Sequence, residues 1–368
     1  MEKLFLVGIL TKYDERWEKL DSLNELAALV KTAEGEVVER ILQRRDRIEP
    51  RFFIGKGKAQ ELAQISQELD IDTFVFDEEL SGTQIRNLED ITGRKVIDRT
   101  ELILDIFAKH ARTLAAKVEV ELTQLRYRLS RLTGKGIALS RLGGGIGTRG
   151  PGERKLEIDR RRIREHIKSL ERTLKSVELS KKIQSSRRKL LFRIALVGYT
   201  NAGKSTLINR LTHSNLLVED KLFSTLDSTT RVLYLPRIEK RVVHHGEARL
   251  GEARKMLITD TVGFLRKLPH GLIASFKSTL QEAIEADLRL HIVDISHPYC
   301  ELQLLAGNQI LEDLGILEHP IIYVFNKTDL NHDTLPILRQ KYPDAVFISA
   351  LRGKNLDLLK QRILSFLQ

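Results

Sequence analysis

Eight consecutive residues, Gly198-Tyr199-Thr200-Asn201-Ala202-Gly203-Lys204-Ser205, are of the types that hold a polyphosphate. They fit G-x-x-x-x-G-K-[ST], follow the apolar run Ile194–Val197 and precede the helical run Thr206–Leu211, the strand–loop–helix context that the pattern requires. The glycines let backbone N–H groups turn inward around phosphate oxygens, and the helix N-terminus adds its dipole. Lys204 is expected to reach the outer phosphates, and the Ser205 hydroxyl to ligate Mg²⁺.

Three signals downstream name the base. Asn326-Lys327-Thr328-Asp329 follows the apolar run Ile321–Phe325 and fits N-K-x-D. The Asp329 carboxylate matches the N1–H and amino donors of guanine. Adenine has no matching pair, so against it the carboxylate would lack partners. Asn326 and Lys327 are expected to support the base and the phosphate loop. Ser349-Ala350-Leu351 fits S-A-x, which offers a backbone N–H to guanine O6. Asp260-Thr261-Val262-Gly263 fits D-x-x-G: Asp260 would hold Mg²⁺ through water, and the Gly263 N–H would sense the γ-phosphate.

Between the first and third motifs lies Phe223-Ser224-Thr225-Leu226-Asp227-Ser228-Thr229-Thr230-Arg231. A threonine here that contacts Mg²⁺ and the γ-phosphate only with GTP bound makes a switch. Thr225 is assigned that role ahead of Thr229 and Thr230. Lys204, Thr225, Gly263 and Asn201 form the expected catalytic set. Many GTPases place a water-orienting glutamine after the D-x-x-G glycine. Here that position is Phe264, with neither donor nor acceptor, so slow intrinsic turnover is expected.

The elements that must position these residues follow from periodicity. Over 191–368, strands are expected at Leu191–Val197, Leu233–Ile238, Met256–Thr259, Arg289–Asp294, Pro320–Phe325 and Ala345–Ile348, with helices between most of them. That alternation specifies a doubly wound, mostly parallel α/β sheet with its ligand at the carboxyl ends of the strands. Residues 1–108 alternate too, with strands at Leu4–Leu10, Val37–Leu42, Thr73–Phe76 and Lys95–Asp98 and helices at Ala59–Leu69 and Thr83–Ile91. Trp17, Leu20, Leu23, Leu26 and Val30 mark a further helix, and Trp17, Phe52 and Phe53 are read as core. From 109 to 190 the character changes. A helix over Arg112–Leu132 and another over Glu153–Lys182 flank a stretch, Gly134–Gly152, that holds eight of the 23 glycines. Two long helices joined by a flexible loop read as a helical hairpin. The division is thus 1–108 α/β, 109–190 hairpin and 191–368 nucleotide domain.

Charge separates the same segments. The net charge of +11 is distributed as −7 over 1–108, +15 over 109–190 and +3 over 191–368. A basic block between near-neutral neighbours suits a polyanion such as RNA, or a solvated helix face. Arg141, Arg149, Arg154, Lys155, Arg160, Arg161, Arg162 and Arg164 are its candidate RNA contacts. No apolar run is long enough to span a membrane, Met1–Leu10 reads as a strand and not a leader, and the lone Cys300 fits a reducing cytoplasm. Gly145-x-Gly147-x-x-Gly150 has the letters of a dinucleotide fingerprint but no strand before it.

Phe223–Arg231, Asp260-Thr-Val-Gly-Phe264, Gly143-Gly-Gly-Ile-Gly-Thr-Arg-Gly-Pro-Gly-Glu153, Arg94-Lys-Val-Ile-Asp-Arg-Thr100 and Ile54-Gly-Lys-Gly-Lys58 together resemble the HflX family of ribosome-associated GTPases. The resemblance covers nearly the whole chain. It implies a cytoplasmic GTPase that binds the large ribosomal subunit and its RNA, with some members splitting stalled or idle ribosomes under stress. It also implies a hairpin whose glycine tip approaches the peptidyl-transferase region. Asn201 resembles the asparagine that ligates K⁺ in potassium-activated GTPases, and capping of the loop is the alternative. Three features depart from the family: Arg154-Lys155 where Thr-Gln is usual, an apparent insertion over 237–255, and no C-terminal domain after Leu356–Phe366. A monomer is expected. The competing reading is a GTP-regulated adaptor for a protein partner, which ribosome-stimulated turnover would distinguish.

Overall fold

A computed structural model of the chain describes all residues except 133–150, 186–190, 213, 215–221, 224–227, 237–253, 268–279, 331–333 and 368; the side chains of 151–156, 178 and 181–185 are likewise outside the description. The glycine-rich segment, Arg141 and Arg149, the Ser224–Asp227 stretch and nearly all of the 237–255 insertion therefore lie outside the described residues, as do the side chains of Arg154 and Lys155. The chain forms two units, Met1–Leu179 and Ser180–Gln368.

In the first unit β1 (Lys3–Leu10), β2 (Glu36–Arg44), β3 (Thr73–Phe76) and β4 (Lys95–Asp98) form a sheet in the order β2-β1-β3-β4. All its pairings are parallel. Leu4 to Val7 and Ile9 are buried, as the near-continuous apolar run of an inner parallel strand requires. Between the strands run α1 (Arg16–Thr32), α2 (Lys56–Glu68) and α3 (Gly82–Thr92). Phe52 and Phe53 are core as expected, but Trp17 is 38% exposed. At about 100° per residue, Trp17 lies about 120° around α1 from Leu23, which with Leu26, Leu29 and Val30 carries the buried face.

A helix absent from the periodicity reading, α4 (Arg99–His110), follows β4 directly and buries Leu102, Ile103, Leu104, Ile106 and Phe107. Asp98 caps it by accepting from the Glu101 N–H at 3.0 Å. Then come α5 (Leu114–Arg131) and α6 (Pro151–Ser185). They pair through Val118, Leu122 and Leu170, flanked by Leu125, Ile167 and Leu174. An Arg126–Glu171 pair at 2.7 Å lies at their surface. Ile158 is 40% exposed and lies beyond that paired stretch.

The second unit holds β5 (Arg193–Gly198), α7 (Lys204–Thr212), β6 (Thr229–Leu235), β7 (Arg254–Asp260), α8 (Gln281–Ile284), β8 (Leu288–Asp294), α9 (Cys300–Asp313), β9 (Ile321–Asn326), α10 (Leu335–Lys341), β10 (Val346–Phe347) and α11 (Leu356–Ser365). Its sheet runs β10-β9-β8-β5-β7-β6, and β6 is the antiparallel strand. This is the expected doubly wound, mostly parallel sheet. β5 lies near the centre, between β8 and β7, so the carboxyl ends of β5, β7, β9 and β10 open toward one edge. β6 begins at Thr229, four residues before the expected start. Thr229 and Thr230 are paired there with Asp260 and Thr259, and the Thr230 and Thr259 hydroxyls are 2.9 Å apart. Both threonines are therefore ladder residues at the start of β6.

Candidate nucleotide site

The phosphate loop begins where β5 ends and closes at Lys204, the first residue of α7. Two glycines in it are sterically required. At Gly198 (φ +142°) a Cβ would meet Ile292 O of β8 at 2.2 Å, and at Gly203 (φ +91°) it would meet Asn326 Nδ2 at 2.3 Å. Asn201 adopts φ +59°, a left-handed conformation that asparagine tolerates better than most side chains. The turn alone therefore accounts for an asparagine here, whatever else the side chain ligates.

Lys204 is buried, and its Nζ donates to the carbonyls of Gly198 (3.2 Å) and Tyr199 (2.8 Å). Burial pulls its pKa down to about 8, against a smaller opposing pull from Asp260. The unfolded chain holds this lysine near 10.5, so between pH 8 and 10.5 the unfolded state binds the extra proton. Stability therefore rises with pH across that window, by at most ~3 kcal/mol. A polyphosphate would restore the charged form. Nucleotide binding near pH 9 is expected to take up close to one proton per site, read by calorimetry in buffers of different ionisation enthalpy. Binding without proton uptake would contradict the burial of Lys204.

Next along α7, the Ser205 hydroxyl donates to Asp260 Oδ2 at 2.5 Å. A hydroxyl and a carboxylate meeting beside a phosphate loop form a hard oxygen donor set. That suits Mg²⁺, which uses few protein ligands and completes its shell with phosphate and water. Phe223 is buried, and Thr225 lies outside the described residues.

On the base side, Asn326 is the organising residue. Its Nδ2 donates to Ala202 O and its Oδ1 accepts from the Ala350 N–H, both at 2.9 Å, so one buried amide ties the phosphate loop to the S-A-x segment. The Ser349 N–H is bonded to Lys354 O at 3.2 Å. Lys327 (φ +66°) pairs with Asp294, at the end of β8, at 2.6 Å. Asp329 is exposed, so its desolvation has to come from the base that covers it. The structure thus brings the N-K-x-D and S-A-x segments together at the phosphate loop.

Three contributors were not legible in the motifs. Asp294 positions Lys327. His291 stands in the centre of β8, 1% exposed, with its pKa pushed by burial down to about 4. A titratable residue inside the apolar run Arg289–Asp294 was the available signal. The third is a clamp at the base of the α5–α6 pair. Buried Asp98 accepts from the Leu80 N–H (3.0 Å), the Tyr127 hydroxyl (2.5 Å) and Arg131 Nη2 (2.8 Å). At Gly82 a Cβ would meet Arg131 O at 2.5 Å. The last turn of α5, where the glycine-rich segment begins, is thereby fastened to the first sheet. Of the basic candidates with described side chains, Arg161, Arg162 and Arg164 are exposed and Arg160 is half-buried. Among the described residues no group of three or more His, Cys, Asp or Glu side chains could hold a metal ion, and no helix is long and apolar enough to cross a membrane.

Comparison with known proteins places this geometry in a family. Family models match residues 20–108 (GTP-binding GTPase N-terminal), 110–188 (GTP-binding GTPase Middle Region) and 193–327 (50S ribosome-binding GTPase). The chain is 46% identical to GTPase HflX of Caldanaerobacter subterraneus over 98% of its own length and 80% of that protein's. To GTPase HflX of Escherichia coli it is 40% identical, over 98% and 82%. Among solved structures, the complex of SsGBP with GDP aligns over 99% of this chain and 98% of its own, with a TM-score of 0.53 and 25% identity. With the phosphate loop, D-x-x-G, N-K-x-D and S-A-x segments at the carboxyl ends of one doubly wound sheet, and this identity along nearly its whole length, the chain belongs to the HflX family of GTPases.

Proposed function

We propose that this GTPase binds the large ribosomal subunit through the α5–α6 pair and the glycine-rich segment between them, and that GTP binding and hydrolysis time the splitting or recycling of ribosomes under stress. The observation that carries this reading is the charge distribution: +15 over 109–190, between segments of −7 and +3. A surface built to neutralise phosphates has that character. The matched model described as a 50S ribosome-binding GTPase supports the same reading. Labour divides accordingly: residues 1–108 hold the base of the hairpin, 109–190 contact RNA and 191–368 read the nucleotide. The working compartment is the cytoplasm, where ribosomes are.

In the nucleotide site, Ser205, Asp260 (through water) and Thr225 would hold Mg²⁺, which neutralises charge on the β- and γ-phosphates when bound. Lys204 supplies the fixed positive charge, and Asn201 is the candidate K⁺ ligand. Because the Ser349 and Ala350 N–H groups are already bonded, the Leu351 N–H is the one of the three left for guanine O6. Asp329 carries base selectivity. Replacing it with asparagine should exchange an acceptor for a donor and move preference from GTP to XTP by ~100-fold, a shift of a few kcal/mol. Competition binding with GTP, XTP and ATP checks this, and an Asp329→Asn protein that still prefers GTP would remove Asp329 from the site.

The function is tested by sedimenting purified ribosomes with the protein under GTP, GDP and a non-hydrolysable analogue. Nucleotide-dependent association with the large subunit is expected, with subunits separating in the presence of GTP. No association with either subunit in any nucleotide state would end the ribosomal reading.

A further inference from the structure

The segment that follows D-x-x-G is fastened to the phosphate loop at three points. β5 and β7 are in register up to Leu196 opposite Asp260. Thr261 to Gly263 then leave the ladder, and pairing resumes one step further on. The Phe264 N–H donates to Gly198 O at 2.9 Å and Phe264 O accepts from the Thr200 N–H at 2.8 Å. The third point is a side chain: the hydroxyl of Tyr199 accepts from the Arg266 N–H at 2.7 Å. Tyr199 is buried, and its own carbonyl holds Lys204 Nζ. One loop residue thus engages the phosphate-binding lysine with its backbone and the D-x-x-G segment with its side chain.

Gly263 is held close as a result. A Cβ on it would stand 2.7 Å from Thr200 Cα and 3.0 Å from Lys204 Nζ. An N–H that is to recognise a third phosphate must be set at the correct distance from the lysine that binds the same group, and small displacements weaken such a contact steeply. The Phe264 ring gives an apolar hold on one side of Gly263, buried edge-on to His291 at 6.4 Å between centroids. The Tyr199–Arg266 bond gives a polar hold two residues further along.

We propose that Tyr199 is a positioning residue for γ-phosphate recognition and hydrolysis: its hydroxyl, through the Arg266 N–H, keeps Gly263 seated against the phosphate loop. The α- and β-phosphates are bound by the loop's own backbone and do not depend on that bond. The hydroxyl therefore favours GTP over GDP and assists turnover without contributing to nucleotide affinity in general. This rests on the reading of Gly263 as the γ-phosphate sensor.

Tyr199→Phe keeps the ring and removes the hydroxyl. In the full-length protein it is expected to lower affinity for a non-hydrolysable GTP analogue about tenfold and kcat by a similar factor, the scale of one hydrogen bond, while GDP affinity stays within about twofold. Analogue and GDP affinities falling together, or an unchanged analogue-to-GDP ratio with unchanged kcat, would overturn the proposal and leave Tyr199 a packing residue. Arg266→Pro removes the same bond from the donor side, because proline has no N–H. In that background Tyr199→Phe should cost nothing further, and a second full loss would mean that the hydroxyl acts elsewhere. Gly263→Ala separates the two levels. If it leaves the analogue-to-GDP ratio intact, the sensor reading itself fails. If it lowers the ratio and Tyr199→Phe does not, only the role of Tyr199 falls.

Discussion

Replacing Arg160, Arg161, Arg162 and Arg164 together by glutamate is expected to abolish association with the large ribosomal subunit and to leave GTP affinity unchanged. The four lie within two turns of α6, and three of them are exposed. Nothing apolar is lost in the exchange. Where α5 and α6 are packed, the contacts come from Val118, Leu122, Ile167 and Leu170, further along the helix. The Arg161–Glu165 pair at 3.9 Å is exposed on both sides, so its loss costs little stability. The change in binding is large because attraction to phosphate becomes repulsion at four positions. A milder set, the same four to glutamine, should lower the slope of log K against log salt by roughly one per phosphate contact removed. Cosedimentation that is unaffected by the glutamate set would show that this face of α6 does not carry the binding.

Turnover without ribosomes is expected to be slow, to rise by two or more orders of magnitude when ribosomes are added, and to stay slow in Phe264→Gln. The last point is specific to this structure. In many GTPases a glutamine at this position orients the attacking water, and by that analogy restoring it would restore activity. Here the side chain at 264 is 2% exposed and faces His291, and its backbone is bonded on both sides to the phosphate loop. A glutamine would be held in the same inward direction. Its amide would be buried against the His291 ring, and the aromatic packing would be lost, at a cost of roughly 1–3 kcal/mol. The expected result is a less stable protein that hydrolyses GTP no faster. On the proposed function, what catalysis lacks is supplied by the bound ribosome, by a cation at Asn201, or by both, since phosphoryl transfer depends on positioning and charge stabilisation. Turnover in KCl and NaCl at equal ionic strength, with and without ribosomes, separates them. Potassium dependence that disappears in Asn201→Ala assigns the ion. Stimulation by ribosomes in both salts assigns the external route. Rapid hydrolysis in NaCl without ribosomes would contradict both.

The nucleotide domain is legible in the sequence because each of its motifs is short, local and tied to a strand end. The strands at Thr73–Phe76 and Lys95–Asp98 match the expectation residue for residue, as short β-branched and aromatic runs between turn signals should. Where local pattern is ambiguous the reading fails. α4 begins with no break after β4, and the polar residues Asp98–Glu101 between their apolar runs are the strand end, the cap and the first turn of the helix, so no loop marks the boundary. β6 begins inside a Ser/Thr-rich stretch whose composition suggests loop. Its partner β7 is distant in sequence, and pairing overrides composition there. Trp17 illustrates the third kind of miss: hydrophobic type is a weak guide to burial when the residue stands off the stripe that packs.

Residue type and spacing therefore specified the ligand class, since guanine and phosphate are recognised by groups whose chemistry can be read one motif at a time. They also located the basic segment, because formal charge does not depend on folding. Contacts between motifs are of another kind. That Asn326 joins the phosphate loop to Ala350, that Asp294 holds Lys327, that Asp98 fastens the end of α5, and that the Tyr199 hydroxyl meets the Arg266 N–H, all depend on atoms 24 to 124 residues apart arriving within about 3 Å. Such distances are set by sheet order and register, which arise from packing of the whole domain and leave no periodicity in the chain to read.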